Sequence, residues 1–320
     1  DWKTILWIAV ASNMEQMSDK IDTLENRCLR MPKKLRDWKA YTELFKQIQD
    51  FKLVLPLLQA LSHPSVETRH WNDVMKVTNT QFDVSGSEFT LQTLIDADLA
   101  THAEDVEEIC EAAQKQLGIK TKMLEIKNRW AAEDFEFQMW KNRDIPVLMK
   151  VPPILEELEE AQMNCQTMLT ARHIAPFKEQ VMALLTSLSD TTDNLELWLK
   201  VQLMWCALES VFLGGDIAKQ LPREAKKFSK LDKQFVKIME KGQETANIVN
   251  CCANELLRNS LPVMYSELEK CQKSLEGYLE QKRNKFPRFY FVSNPVLLQV
   301  LSQGSDPEAM QPFYEKVFDA

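Results

Sequence analysis

The chain has 320 residues, long enough for two or three compact units, with 45% hydrophobic and 27% charged residues, the balance of a folded protein rather than a disordered or fibrous one. Only 7 glycines are present, which disfavours Gly-rich phosphate loops and hairpin-dense sandwiches and points to a mainly α protein. A net charge of −8 opposes a large nucleic-acid or anionic-membrane footprint, so neither is expected as a partner.

In chain order, the apolar run Ile5 to Ala11 falls far short of the ~20 residues that cross a bilayer, and no basic segment precedes it. The chain is therefore expected to be soluble and intracellular. From Lys33 to Leu61 the apolar positions Leu35, Trp38, Tyr41, Leu44, Ile48, Phe51 and Leu55 draw one stripe on a long helix, with Pro56 a candidate kink. Ser62-His63-Pro64-Ser65 breaks it, and Val66 to Val77 resumes helical spacing. Thr78 to Thr90, with Gly86, is expected to be a loop before a helix from Leu91 or Leu94. Val106, Ile109, Ala113, Leu117 and Leu124 predict a long helix over 105–130.

The period then changes. Phe135, Phe137 and Met139 alternate with Asp134, Glu136 and Gln138; a polar turn 141–144 and the apolar run Ile145 to Val151 follow, which together predict a hairpin. Pro146 confines it to an edge or strand end, because proline has no donor for a ladder. Pro152-Pro153 opens the next helix, whose seam is Leu155, Leu158, Gln162, Cys165 and Leu169. A second seam runs Trp198, Val201, Trp205, Leu208, Phe212, and a third Leu261, Met264, Leu268, Cys271, Leu275, Tyr278. Coiled-coil-like packing of antiparallel helical bundles stacked end to end is the expected architecture. Gly214-Gly215 and Gly242 are expected to break these helices, and 284–295 to be non-helical before Val296 to Leu301. The expected division is a helical bundle over 1–133, a hairpin over 134–151 and further bundles over 152–320. The start at Asp1 and the helical pattern running to Ala320 suggest a piece of a longer chain.

Catalytic motifs are scarce. Neither G-x-x-x-x-G-K-[ST], G-x-G-x-x-G nor G-x-S-x-G occurs, and Gly118-Ile119-Lys120-Thr121 lies inside a helix pattern. His63, His70, His102 and His173 share no ligand spacing, so they are expected to be structural or surface groups. The run Glu156-Glu157-Glu159-Glu160 fits a solvated helix face, and the seven scattered cysteines fit reduced, buried thiols. No catalytic, metal or cofactor site is expected. Trp140, at the hairpin tip beside Lys141 and Arg143, is balanced between local packing and docking to a partner. Trp198 and Trp205 are expected in the core.

Several segments resemble the linker region (N-terminal region 2) of dynein heavy chains. They are Met31-Pro32-Lys33-Lys34-Leu35-Arg36-Asp37-Trp38, Leu55-Pro56-Leu57-Leu58, Arg69-His70-Trp71, the Trp198-to-Glu209 seam with Gln202 and Trp205, and the block from Tyr278 through Phe286-Pro287-Arg288-Phe289-Tyr290-Phe291. Gly214 to Pro222 and Ser302 to Asp306 look most like axonemal outer-arm chains. The resemblance implies a non-catalytic mechanical lever lying across an AAA+ ring of the same heavy chain, which ATP-driven ring changes bend and straighten. ATP and Mg would belong to that ring. The other dynein heavy, intermediate and light chains would be partners through the tail, and microtubules through regions absent here, in the axoneme of a cilium or flagellum. It further implies that the hairpin projects toward the ring, making Phe135, Phe137, Trp140, Lys141 and Arg143 candidate ring contacts, with local packing of Phe135 and Phe137 the equal alternative. Val151-Pro152-Pro153 and Gly214-Gly215 are candidate hinges, since backbone constraints change most there. The rival is a static tether or scaffold of spectrin or vesicle-tethering type, against which the hairpin and the Phe286-to-Phe291 block count.

Overall fold

The computed structural model describes residues 6–84, 89–141, 143–213, 216–302 and 311–313. Two compact units are present: Asp1–Lys122 with Ala171–Phe177, and Met123–Thr170 with Lys178–Ala320. The mainly α fold, with one two-stranded antiparallel hairpin among the described residues, agrees with the composition.

In the first unit α1 (Trp7–Leu29) runs antiparallel to α3 (Lys39–Leu61), with the short α2 (Lys33–Arg36) between them. The single helix expected over 33–61 is thus broken at Asp37 and Trp38. Trp38 takes an extended backbone, its side chain is exposed, and α2 has no buried residue to hold it in line with α3. Arg36 instead donates to the carbonyl of Leu29 at 2.6 Å, tying the segment to the end of α1. Pro56 is accommodated inside α3. Farther on, Trp7, Trp71 and Phe89 form an edge-to-face cluster that buries α4 (Thr68–Thr78) and α5 (Leu91–Asp96) against α1 and α3.

His70 is structural: it is 3% exposed, accepts from the Glu67 backbone N–H at 2.9 Å through Nδ1, and places Nε2 3.0 Å from Gln116 Oε1. Glu67 caps the helix in return, and the Lys120 ammonium hydrogen-bonded to it holds its carboxyl below the usual carboxylate range. A carboxyl with a depressed folded pKa stabilises the fold above its unfolded pKa and loses that contribution as pH falls through the folded one. The stability difference between the wild type and Glu67→Gln is therefore expected to be constant near neutrality and to shrink once the pH drops below 4.5, the ordinary value for a glutamate, as urea unfolding at stepped pH would read. A difference that persists unchanged at the acid end would assign the effect to the cap geometry alone.

The helix α6 (Ala103–Ala132) supplies the first unit up to Lys122 and the second from Met123. Its expected stripe holds at Val106 and Ala113 but drifts, so that Ile119 and Met123 are buried while Leu124 is 40% exposed.

In the second unit, β1 (Glu136–Trp140) and β2 (Ile145–Met149) pair antiparallel, followed by α7 (Val151–Leu169) and α8 (Lys178–Phe212). Then come α9 (Asp216–Gln220), α10 (Pro222–Glu244), α11 (Ile248–Cys252), α12 (Glu255–Lys285) and α13 (Asn294–Ser302). The axis is α8, which packs on α7, α10, α11 and α12 and so buries residues on several faces. Its seam Trp198, Val201, Trp205, Leu208 and Phe212 is at most 3% exposed throughout. Trp198 meets Met239 and Trp205 meets Asp232, so α10 runs antiparallel to α8.

Two expectations fail here. Gly242 breaks no helix: it lies inside α10, where a Cβ would come within 2.7 Å of the buried Trp198 ring. The stretch 284–295 is largely helical, with α12 continuing to Lys285, a 3-10 turn over Pro287–Phe291, and α13 starting at Asn294. Arg283 stabilises that turn by donating to the carbonyls of Phe289 and Val292 at 3.2 and 3.0 Å.

All seven cysteines are free and six are buried. Burial pushes the thiols of Cys110, Cys206 and Cys251 up to about 11, leaving little thiolate at neutral pH. Iodoacetamide at pH 8 is expected to label the folded protein slowly, Cys206 first, and all seven thiols rapidly in denaturant. Fast labelling of the native chain would contradict this burial.

Candidate functional site: the clamped hairpin

The hairpin is set in place from both ends. At its entry Asn247 donates to the carbonyls of Trp130 and Glu133 at 3.1 and 2.9 Å, capping the end of α6, while its own Oδ1 accepts from Asn250 N–H at 3.0 Å to start α11. Phe135 N–H donates to Ala246 O at 2.8 Å, and the Phe135 ring is buried against Trp198 with centroids 5.7 Å apart. At the exit Lys150, with φ 53°, is the single residue between β2 and α7.

The register pairs Phe137 with Leu148, Met139 with Pro146 and Trp140 with Ile145. On β2, Leu148 turns its backbone away from β1, and the buried Gln202 side chain of α8 serves both groups: Leu148 N–H donates to Oε1 at 2.8 Å, and Nε2 donates to Leu148 O at 3.0 Å. Pro146, two residues earlier, shares that orientation, so its missing N–H leaves no donor unsatisfied. Residues 145–148 are consequently all buried, whereas β1 keeps Glu136, Gln138 and Met139 exposed. The expected alternation places Met139 inward; it is 48% exposed, because β1 is the outer strand.

At the tip, two acids from different helices lie inside the apolar face: Glu209 of α8 and Asp232 of α10, 6% and 7% exposed. Arg143 binds Asp232 through two parallel hydrogen bonds, 2.9 and 2.8 Å, and Glu209 at 3.2 Å. Lys141 reaches Glu209 at 3.2 Å and sits 4.6 Å over the Trp140 ring. The indole N–H of Trp205 donates to Asp232 at 3.1 Å, and that of Trp140 points to Glu209 at 3.4 Å. Trp140 and Trp205 meet edge to face at 6.0 Å, and Trp205 stacks on Phe235 at 4.4 Å. The carboxylates raise the Arg143 pKa, Asp232 foremost through its hydrogen bonds. The arrangement is a clamp: every charge is matched by a partner of opposite sign.

The structure thus brings Trp140, Lys141 and Arg143 together at one end, while Phe135 is an anchor at the other and Phe137 is half-buried, edge to face with Phe135 at 6.2 Å. Of the candidate hinge residues, Val151 is buried, Pro152 and Pro153 are exposed in the first turn of α7, and Gly214 and Gly215 lie outside the described residues. Sequence reasoning does not single out Glu209, Asp232 and Gln202 as site residues. The signal that could find them is an acid inside an apolar stripe, as at Asp232 between Phe228 and Phe235. Among the described residues, no group of three or more His, Cys, Asp or Glu could hold a metal ion, and no helix is long and apolar enough to cross a membrane.

The family model for dynein heavy chain, N-terminal region 2, matches residues 1–320. The chain is 40% identical over 98% of its length to the human dynein axonemal heavy chain 8 and 42% identical over 98% to the dynein gamma chain of the flagellar outer arm of Chlamydomonas reinhardtii. It is 33% identical over all of its length to the ciliary dynein beta chain of Tripneustes gratilla. In each case it spans 7% of the relative. A full-length family match together with identities of this size along the whole chain places it in the dynein heavy chain family, as N-terminal region 2.

Proposed function

We propose that this chain is the linker of an axonemal dynein motor, a lever that bends and straightens across the AAA+ ring of its own heavy chain during ATP turnover. It would work in the axoneme of a cilium or flagellum, in an outer arm, with the ring, the other dynein chains and the microtubule contacted by the rest of the assembly. The observation that supports this reading most is the clamped hairpin. A lever has to deliver force from a projecting contact into its body without that contact folding away, and Gln202, Glu209 and Asp232 fasten the hairpin to the central helices α8 and α10. Phe135 and Arg143 then serve as anchors on the body, while Lys141, whose side chain is 51% exposed, and the open face of β1 are the parts offered to the ring. Val151-Pro152-Pro153 and Gly214-Gly215 remain the proposed points of bending.

Fluorescence energy transfer in the intact heavy chain tests this, with one label at the exposed Met163 of α7 and one on the ring. A lever predicts distances that differ between nucleotide-free and ATP-bound states. An unchanged distance through the cycle would favour the static tether.

A further inference from the structure

The hairpin leaves one edge of β1 open. Along an antiparallel strand the backbone groups of successive residues point alternately toward the paired strand and away from it. Leu148 and Pro146 turn theirs away from β1, so Phe137 and Met139, which lie opposite them, turn theirs away from β2. Phe135, two residues earlier on the same edge, shows what this edge accepts: its N–H is met by the Ala246 carbonyl, and Asp134 lies opposite Asn247 as an antiparallel pair. That pairing stops there because the chain just before Ala246 belongs to α10, which ends at Glu244. Among the described residues the N–H and C=O groups of Phe137 and Met139 have no partner, and β2 is the one element packed extensively along β1.

Open edges are usually blunted by a proline, a lysine, a bulge or a covering element. Residues 136–140 contain neither proline nor lysine, their register with β2 is unbroken, and the Gln138 side chain is exposed without a hydrogen bond among the described residues. The edge is also held in place, by the Phe135 anchor at one end and the tip clamp at the other. A fixed row of free donors and acceptors is a template for one more antiparallel strand. Ala246 closes the edge at Phe135, and Lys141, with φ 48°, lies beyond the strand, so the free stretch is 136–140 with Gln138 at its centre.

This stretch complements itself. Two copies of β1 related by a two-fold axis at Gln138 set Phe137 opposite Met139 of the other copy, and the free groups then close four main-chain hydrogen bonds. A ring meets a thioether on each side of the axis, Gln138 meets its own copy, and the acidic Glu136 end of one strand lies against the Lys141 end of the other. Moving the axis by one residue would face a free group with the occupied Phe135 or with Lys141, so no neighbouring register uses all four groups. We propose that β1 is a self-pairing edge through which two copies of this chain join their hairpins into one four-stranded sheet. The contact is short, so it suits copies already held side by side rather than free in dilute solution. It depends neither on a swinging lever nor on a ring contact, and stands or falls separately from the energy-transfer result.

The test is oxidation of the intact heavy chain carrying Gln138→Cys with copper phenanthroline, followed by digestion and mass spectrometry. Directly opposed residues at such a position are about 4.5 Å apart between Cα atoms, within reach of a disulfide. A peptide joined to itself at position 138 can come only from two copies, and its yield is expected to exceed at least tenfold that of the corresponding product from Glu136→Cys, since positions 136 of the two copies are four residues out of register. In a mixture of Gln138→Lys and Gln138→Glu heavy chains, carbodiimide should likewise join the two 138 positions, whereas neither variant alone should give that product. Position 138 is exposed, so the fold is retained, as circular dichroism would check. Equal yields at 136 and 138, position 138 joined to another polypeptide or to another site of the heavy chain, or no self-joined peptide would each overturn the proposal.

Discussion

Replacing Arg143 by Ala is expected to destabilise the chain by about 2–4 kcal/mol, reaching only the lower part of the ~3–5 kcal/mol for breaking a buried ion pair because the arginine side chain keeps some access to water. The loss comes from the acids rather than from the arginine. Asp232 and Glu209 have side chains only 10% and 8% exposed, against 32% for Arg143, so removing the guanidinium leaves two carboxylates desolvated with Lys141 and the two indoles as their remaining donors. The converse substitution, Asp232→Asn, keeps an acceptor for Trp205 and leaves a guanidinium that can turn to solvent and still bind Glu209, so its effect should be clearly smaller. Arg143→Lys should fall between them, since an ammonium cannot reproduce the two parallel bonds to Asp232. Urea unfolding of the three variants gives the order, and hydrogen exchange at the Leu148 amide shows whether the hairpin loosens from Gln202 when its tip is released. Equal losses for Arg143→Ala and Asp232→Asn would mean that the acids are hydrated and the clamp contributes little.

That clamp also marks the limit of what the residues alone disclose. The hairpin announces itself by a change of period from 3.6 to 2, and the α8 seam by tryptophans seven residues apart, because both are local patterns along one segment. The pairing of Arg143 with Asp232 joins residues 89 positions apart through the packing of α10 on β2, which no spacing encodes. Trp140 can be assigned to a tip but not to a side, since its exposure depends on whether α8 presents an acid there. The break at Asp37 is hidden for a different reason: the apolar spacing continues through it, but α2 buries none of its residues and Arg36 bonds back to the Leu29 carbonyl. Gly242 misleads because glycine reads as a breaker, whereas here its use is the absence of a side chain beneath Trp198.

The same substitution at two glycines is therefore expected to act in opposite directions. At Gly242 an added methyl group would lie 2.7 and 3.1 Å from two carbons of the Trp198 ring, the first closer than any relaxed contact and the second tighter than most. The ring cannot yield easily: it is fully buried, its N–H is directed at Met239 Sδ at 3.1 Å, and Phe135 packs on it edge to face. Relief has to come from moving α10 outward, which would disturb the anchor of the hairpin, so Gly242→Ala should cost about 1–3 kcal/mol despite the better helix propensity of alanine. At Gly118, in the middle of α6, nothing lies within 4 Å of the place a Cβ would take, and the backbone is ordinary helix. There Gly118→Ala should stabilise by about 0.5–1 kcal/mol, because only the excess freedom of glycine in the unfolded chain is removed. Thermal or urea unfolding of both variants decides it, and near-ultraviolet circular dichroism of the tryptophans should change for Gly242→Ala alone. If Gly242→Ala proved neutral, Trp198 would have to be mobile in its pocket, and the α8–α10 packing that carries the hairpin would be looser than its contacts imply.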